Sequence, residues 1–220
     1  MLALMTKPYD PTAFPPLAVT VDLVLMTVRD GRLAALFQRR GEAPYKGEWA
    51  LPGGFVGVTE SLDEAAQRIL ADKARMTGGW LEQLYSFGHP DRDPRMRIVT
   101  IAYFALVPPE DLAAALTGRK DLMLAPLDTL PDLVFDHAEI VDHAVARLRG
   151  KLDYAPVALA LLPSLFTLRA LQDVHEAILG TQLNKPAFRR RMLDKGWIEG
   201  TGEREEGGAF RPAELFRVKP

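Results

Sequence analysis

LPGGFVGVTESLDEAAQRILADKAR (51–75) opens on glycines and runs into a stretch of helical character over 61–76. Gly54 is followed after five intervening residues by Glu60, and Glu60 after seven more by Arg68. Upstream, LAVTVDLVLMTV (17–28) is β-branched and apolar. Arg29-Asp30-Gly31 supplies a turn and LAALFQRR (33–40) follows, so the segment reads as a β-hairpin with Asp-Gly as its strongest element. The glycine-rich stretch is therefore reached from strands through the turn-rich loop GEAPYKGEW, and it leads into a helix.

Working outward, LEQLYSFG and RIVTIAYFALV (97–107) read as strands joined by the polar loop HPDRDPR, and 110–117 and 136–149 as helices. In the second of these, Ile140, Ala144, Val145 and Leu148 fall at helical spacing. The pattern changes from about residue 163. PSLFTLRALQDVHEAILG is an amphipathic helix with Thr167 as N-cap and Gly180 as its end. TQLN turns the chain, and KPAFRRRMLDKG makes a second helix with Pro186 near its first turn. WIEGTGEREEGGAFRPAELFRV then reads as two strands around a charged loop. Helix, turn, basic helix and hairpin is the order of a winged helix, with the boundary near 154–163.

Composition narrows the classes. The 220 residues are 48% hydrophobic and 25% charged, which suits one large or two small globular domains and argues against wholesale disorder. The absence of cysteine excludes disulfides and thiolate metal sites. No apolar run is long enough to span a bilayer, and MLALMTKPYD is too short and poorly patterned for a signal peptide, so a cytoplasmic protein without membrane partners is expected. The net charge is −2, but residues 163–220 carry 10 Lys+Arg against 8 Asp+Glu. That mild asymmetry permits nucleic-acid binding by the C-terminal part.

In the second basic helix, Phe188, Met192 and Trp197 can face inward, leaving Lys185, Arg189 and Arg190 outward with Arg191 beside them. Such a helix suits the major groove, because Arg donates bidentately to guanine and grips phosphate. It also reads as a solvated, salt-bridged face. Asn184 fits a helix cap or a base contact. Arg204 and Arg211 flank the wing and point to backbone contacts.

The spacing Gly54–Glu60–Arg68, with LPGG before it, resembles the front half of the Nudix box. The resemblance implies that three glutamate positions after Arg68 hold or orient divalent cations, yet the residues here are Ile69, Asp72 and Lys73. Mg²⁺ needs hard oxygen ligands. Isoleucine offers none, lysine brings a positive charge, and Arg75 replaces the family's glycine. Glu64, Arg68 and Asp72, spaced i,i+4, equally describe an exposed salt-bridge row, and Gly53 with Gly54 a tight turn. No metal, cofactor or catalytic residue is therefore expected.

Ligand binding can outlast those carboxylates. Arg39, Arg40 and Lys46 suit a pyrophosphate, as planar or point cations, while Trp49, Tyr45 or Phe104 could stack on a base. Each also has a bland reading, as an edge-strand charge or a core aromatic. Within this frame, Arg39, Arg40, Lys46, Trp49, Gly54, Glu60 and Phe104 are the expected effector-binding set.

Taken together, WALPGGFV, LEQLYSFGHPDRDPR, IAYFALVP, FDHAEI, FTLRALQDVHEAILG and NKPAFRRRML resemble the Nudix-related regulators of the NrtR group. The resemblance implies an α/β fold: a Nudix-like α/β/α sandwich with a mixed sheet over 1–155, then a winged helix-turn-helix over 156–220. It further implies a homodimeric repressor of NAD-metabolism genes that binds double-stranded operator DNA and responds to ADP-ribose or a related metabolite. The alternative is a Mg²⁺-dependent ADP-ribose or nucleotide-sugar pyrophosphatase with an accessory domain.

Overall fold

The computed structural model describes residues 10, 12, 15–75, 80–206 and 212–219. β1 (Ala18–Arg29) and β2 (Arg32–Arg39) form the expected hairpin. Asp30 and Gly31 both take positive φ, 52° and 72°, the twist that a two-residue hairpin turn needs. β1 also pairs in parallel with β6 (Ile98–Leu106), and β5 (Trp80–Phe87) runs antiparallel along β6. With β3 (Trp49–Ala50), β4 (Gly53–Phe55) and β7 (Leu122–Pro126), these make a seven-stranded mixed sheet.

The two faces of that sheet bury different helices. Val21, Leu23 and Leu25 of β1 pack with α1 (Leu62–Ala74) and α2 (Pro109–Leu116). Val24 and Met26, one residue out of phase, point the other way toward α3 (His137–Lys151). Buried on both faces, β1 is apolar nearly throughout, and the expected α/β/α sandwich results. α1 begins where Ser61 accepts a hydrogen bond from the Glu64 amide and Glu64 accepts one from the Ser61 amide, a capping box. It ends at Arg75, which adopts φ 54° in the left-handed region. That conformation is the reason glycine suits this position, and here an arginine carries it.

The C-terminal unit is the expected winged helix. α4 (Leu168–Leu179) is capped by the Thr167 side chain and closed by Gly180 at φ 72°. α5 (Lys185–Asp194) is capped by Asn184. A three-stranded sheet completes the unit, in which β8 (Phe166–Thr167), just before α4, and β9 (Ile198–Arg204) flank β10 (Glu214–Val218). A partly buried polar network fixes the turn between the two helices. Glu176 accepts from the Leu183 amide and from Gln172, Gln172 also donates to the Leu183 carbonyl, and His175 packs edge-on against Phe188.

The two units share one hydrophobic core. Ile140, Ala144 and Leu148 of α3 belong to the same buried cluster as Leu171, Val174 and Ile178 of α4 and Phe188 and Met192 of α5. At the end of α3, Arg149 donates to the Ile178 carbonyl at 2.9 Å, satisfying one of the free carbonyls at the C-terminus of α4.

Candidate functional site

The hairpin creates the cleft by coming apart. β1 pairs with β2 only from Met26↔Ala35 to the turn; beyond that, β1 takes β4 as its partner and β2 takes β3. The separated strand ends line a cleft of about 460 Å³, bringing Thr20 and Asp22 from β1, Gln38 and Arg39 from β2, and Gly53, Gly54 and Phe55 from β4. Arg40, Lys73, Arg92, Asp93, Arg95, Phe135 and His137 complete most of its wall.

A buried ionic cluster forms the floor. The Arg92 side chain is 3% exposed and donates twice to Asp136, at 2.7 and 2.6 Å, with Asp22 3.5 Å away. Leu51 donates its amide to His137 Nδ1 at 2.9 Å, so the ring proton sits on Nε2, which faces Asp22 at 3.8 Å. Burial pushes the His137 imidazole down and keeps it neutral, against the opposing pull of Asp22 and Asp136. A Cβ on Gly53 would fall 2.1 Å from Asp22 Oδ1 and 2.9 Å from the Val21 carbonyl. Close approach, not turn geometry, is what demands glycine there.

At the rim, Arg95 is held bidentately by Asp93 and lies 5.3 Å from the Phe55 ring. Arg40 donates to the Pro44 carbonyl and sits 4.9 Å over Phe135, a residue held at φ 58°. A bulky side chain in that region is strained, a condition found where surrounding structure over-determines a site.

Of the expected effector residues, Arg39, Arg40 and Gly54 line the cleft, and the other four are placed elsewhere. Phe104 is fully buried against Trp80 and presents no face to a base. Trp49 packs on the core and lies under the Arg39 guanidinium at 5.2 Å. Lys46 is exposed on the loop before β3. Glu60 accepts from Arg68 at 2.9 and 2.6 Å and from the Gly57 amide at 2.7 Å, which holds its carboxyl down at about 2. It closes the loop onto α1 instead of facing the ligand space.

The same contacts decide the fit of a divalent cation. Glu60 is spent on Arg68, Glu64 on its capping box, Ile69 is buried, and Asp72 is 62% exposed beside Arg68 at 4.0 Å. The salt-bridge row along α1 thus runs Glu60–Arg68–Asp72, with Glu64 outside it. Among the described residues no group of three or more His, Asp or Glu is placed to hold a metal, so the donor set does not fit one.

Arg92, Arg95, Asp22, Phe135 and His137 escaped the sequence reading. Their signals were a lone aspartate inside an apolar strand and four charges crowded into HPDRDPR.

On the winged helix, Phe188 and Met192 of α5 are buried while Lys185, Arg189, Arg190 and Arg191 are exposed together. Arg189 reaches Glu214 at 3.8 Å and Arg191 lies 5.8 Å over Phe188; Arg190 has no ionic partner among the described residues. Asn184 accepts from the Ala187 amide at 3.0 Å, the capping role. Arg204 donates to the Pro212 carbonyl across the base of the wing, which places it as a brace. Arg211 lies outside the described residues.

The sequence matches the model of the NUDIX domain over residues 16–144 and that of the NrtR DNA-binding winged helix domain over 158–218. It is 38% identical over 213 residues to the ADPR responsive transcriptional repressor NtrR of Acinetobacter baylyi, covering 95% of this chain and 85% of that one. An ADP-ribose pyrophosphatase of Methanocaldococcus jannaschii is 33% identical over 124 residues, covering 56% of this chain and 70% of that one. Shewanella oneidensis NrtR complexed with a 27mer DNA superposes with a TM-score of 0.83 at 35% identity, covering 91% of this chain and 93% of that one. The NUDIX domain of the same protein complexed with ADP ribose gives 0.53 at 34%, covering 64% of this chain and 94% of that one. With both domains present in order along one chain, and a repressor relative matched over 95% of this chain, this chain belongs to the NrtR family of Nudix-related regulators.

Proposed function

We propose that this protein is an ADP-ribose-responsive transcriptional repressor whose Nudix domain senses the nucleotide and whose winged helix binds operator DNA. The observation that carries the reading is the course of α3. Its first residue, His137, lines the cleft, and its last turn is bonded through Arg149 to the end of α4, the helix that supports α5. Occupying the cleft and placing the basic helix are then not independent events. Arg39 and Arg40 meet the pyrophosphate, Phe55 and Phe135 offer aromatic faces, and Lys185, Arg189, Arg190 and Arg191 meet the DNA. Two copies of the chain, related by a two-fold axis, address the two halves of a palindromic operator, and the genes controlled serve NAD metabolism. Such a role places the protein in the cytoplasm.

In this reading ADP-ribose alters the relative placement of the two winged helices and releases the operator. Because coupling is reciprocal, operator DNA weakens ADP-ribose affinity by the factor that ADP-ribose weakens operator affinity. Fluorescence titration of operator with and without saturating ADP-ribose tests it, and an unchanged operator affinity would refute it. Sedimentation of the free protein tests the dimer. The reading also holds that ADP-ribose is not hydrolysed, since Glu60 and Glu64 are already engaged. Release of AMP in Mg²⁺ that disappears in Glu60→Gln would establish an enzyme instead.

A further inference from the structure

We infer that Lys73 is a direct ligand of the effector's pyrophosphate and that its ammonium supplies the positive charge that a carboxylate-held cation would otherwise bring, so that effector binding needs no metal. The inference rests on the ADP-ribose reading above and adds to it a residue and a metal independence.

Position comes first. On α1, Ile69 packs beside Gly54, where a Cβ would meet its Cδ1 at 3.5 Å. Lys73 lies one turn further along the same face, and its side chain lines the cleft together with Gly54 and with Arg39 and Arg40 from the end of β2. One turn of the helix thus buries Ile69 in the core beneath Gly54, and the next brings Lys73 to the cleft wall. Asp72, the only carboxylate in this turn, belongs to the exposed salt-bridge row with Arg68.

Charge pairing then separates the cations of the wall into two groups. Arg92 is committed to Asp136 and Asp22, and Arg95 to Asp93. Asp121, also on the wall, is committed to Arg119. Arg39, Arg40 and Lys73 have no carboxylate within 4.0 Å among the described residues; of the carboxylates in the wall, exposed Glu42 alone stands without a cation there. Three unpaired cations around one cleft suit a diphosphate, which carries charge on both phosphoryl groups. Arg40 points the same way, for burial and the nearby Arg95 push its guanidinium down, a condition an anion relieves.

The ligand chemistry excludes the alternative division of labour. A protonated lysine has three donors and no lone pair, so it cannot join a metal's coordination shell, and its charge opposes a cation placed beside it. The same group donates directly to phosphate oxygens, as lysines in phosphate-binding loops do. Substituting lysine into this turn therefore does more than remove a metal ligand: it replaces the bridge between protein and pyrophosphate.

Calorimetric titration of the full chain with ADP-ribose, once in EDTA and once in Mg²⁺, tests this. The parent is expected to bind with the same affinity, within about twofold, in both buffers. Lys73→Met keeps the apolar stem and removes the charge; it should weaken binding by about tenfold or more in both, the loss of one charge-assisted hydrogen bond. Lys73→Arg should stay within about threefold of the parent, and Lys73→Gln, a second neutral replacement, should behave as Lys73→Met. Thermal midpoints near the parent's show that the variants fold. Binding by the parent only in Mg²⁺ overturns the inference and leaves the ADP-ribose reading standing. So does Lys73→Met binding as tightly as the parent. No binding by the parent in either buffer removes the ADP-ribose reading and the inference with it.

Discussion

The pinned arginines of the cleft, Arg92 and Arg95, and those of α5 are held in opposite ways. Arg92 and Arg95 in the cleft are pinned by bidentate carboxylates, one of them almost wholly out of solvent. Lys185, Arg190 and Arg191 on α5 are exposed, and Arg189 has one loose contact at 3.8 Å. Fixed donors suit a small ligand of one shape, because the cost of ordering them is met during folding. Exposed donors suit a long polyanion, where affinity comes from many phosphate contacts and released counterions. The same residue type is thus fixed by carboxylates in one region and left open to solvent in the other.

The largest effect that would break this comparison concerns Arg92. Arg92→Ala leaves Asp22 and Asp136 buried without their counter-charge, and a loss of about 3–5 kcal/mol is expected in urea unfolding. A loss below about 1 kcal/mol would mean that Arg92 is no more committed than the cations of α5. Next comes Arg190→Ala. It should weaken operator binding by about 1–3 kcal/mol if it reads a base, with the salt slope reduced by about 1 if it holds a phosphate. Its unfolding stability should stay within about 0.5 kcal/mol of the parent.

Histidines sharpen the comparison with one probe in each region. Burial pushes both His137, under the cleft, and His175, under α5, below the ordinary imidazole value of 6.5. Below that pH the unfolded chain binds more protons than the folded one, so stability is retained above about 6.5 and falls as the pH drops. The slope reaches at most about 1.4 kcal/mol per pH unit for each histidine. Thermal melts from pH 7.5 to 5.5 should show the decline, and His137→Gln and His175→Gln should each remove part of it; a flat parent profile would contradict both assignments. The smallest effect is Asn184→Ala, which should cost about 1 kcal/mol of stability as a lost cap. A change in operator base preference would show instead that Asn184 touches DNA.

Long elements with a periodic pattern or a clear cap were legible in the sequence. The Asp-Gly hairpin, α1, α3, and the two helices of the winged unit with Thr167, Asn184 and Gly180 at their ends all declare themselves locally. β3 and β4 did not, because two or three residues show no period. β7 was missed because LMLAP ends on proline and is a strand only by virtue of pairing along β2. The cleft was less legible than the fold. Arg39 and Arg40 stand out as a basic pair, whereas Asp22, Arg92, Asp136 and His137 are separated by up to 115 positions and meet only through the sheet. Glu60 misled for the opposite reason: the spacing motif contains both Glu60 and Arg68 but does not say that the two are bonded to each other.

α3 has a mechanical property beyond joining two sites. At 15 residues it is a stiff lever of about 22 Å. Pivoted near His137, a tilt of about 5° swings its far end by roughly 2 Å. A displacement of that size would pass through the Arg149–Ile178 hydrogen bond to the end of α4, so a small tilt at the cleft end of α3 would be magnified at the winged helix.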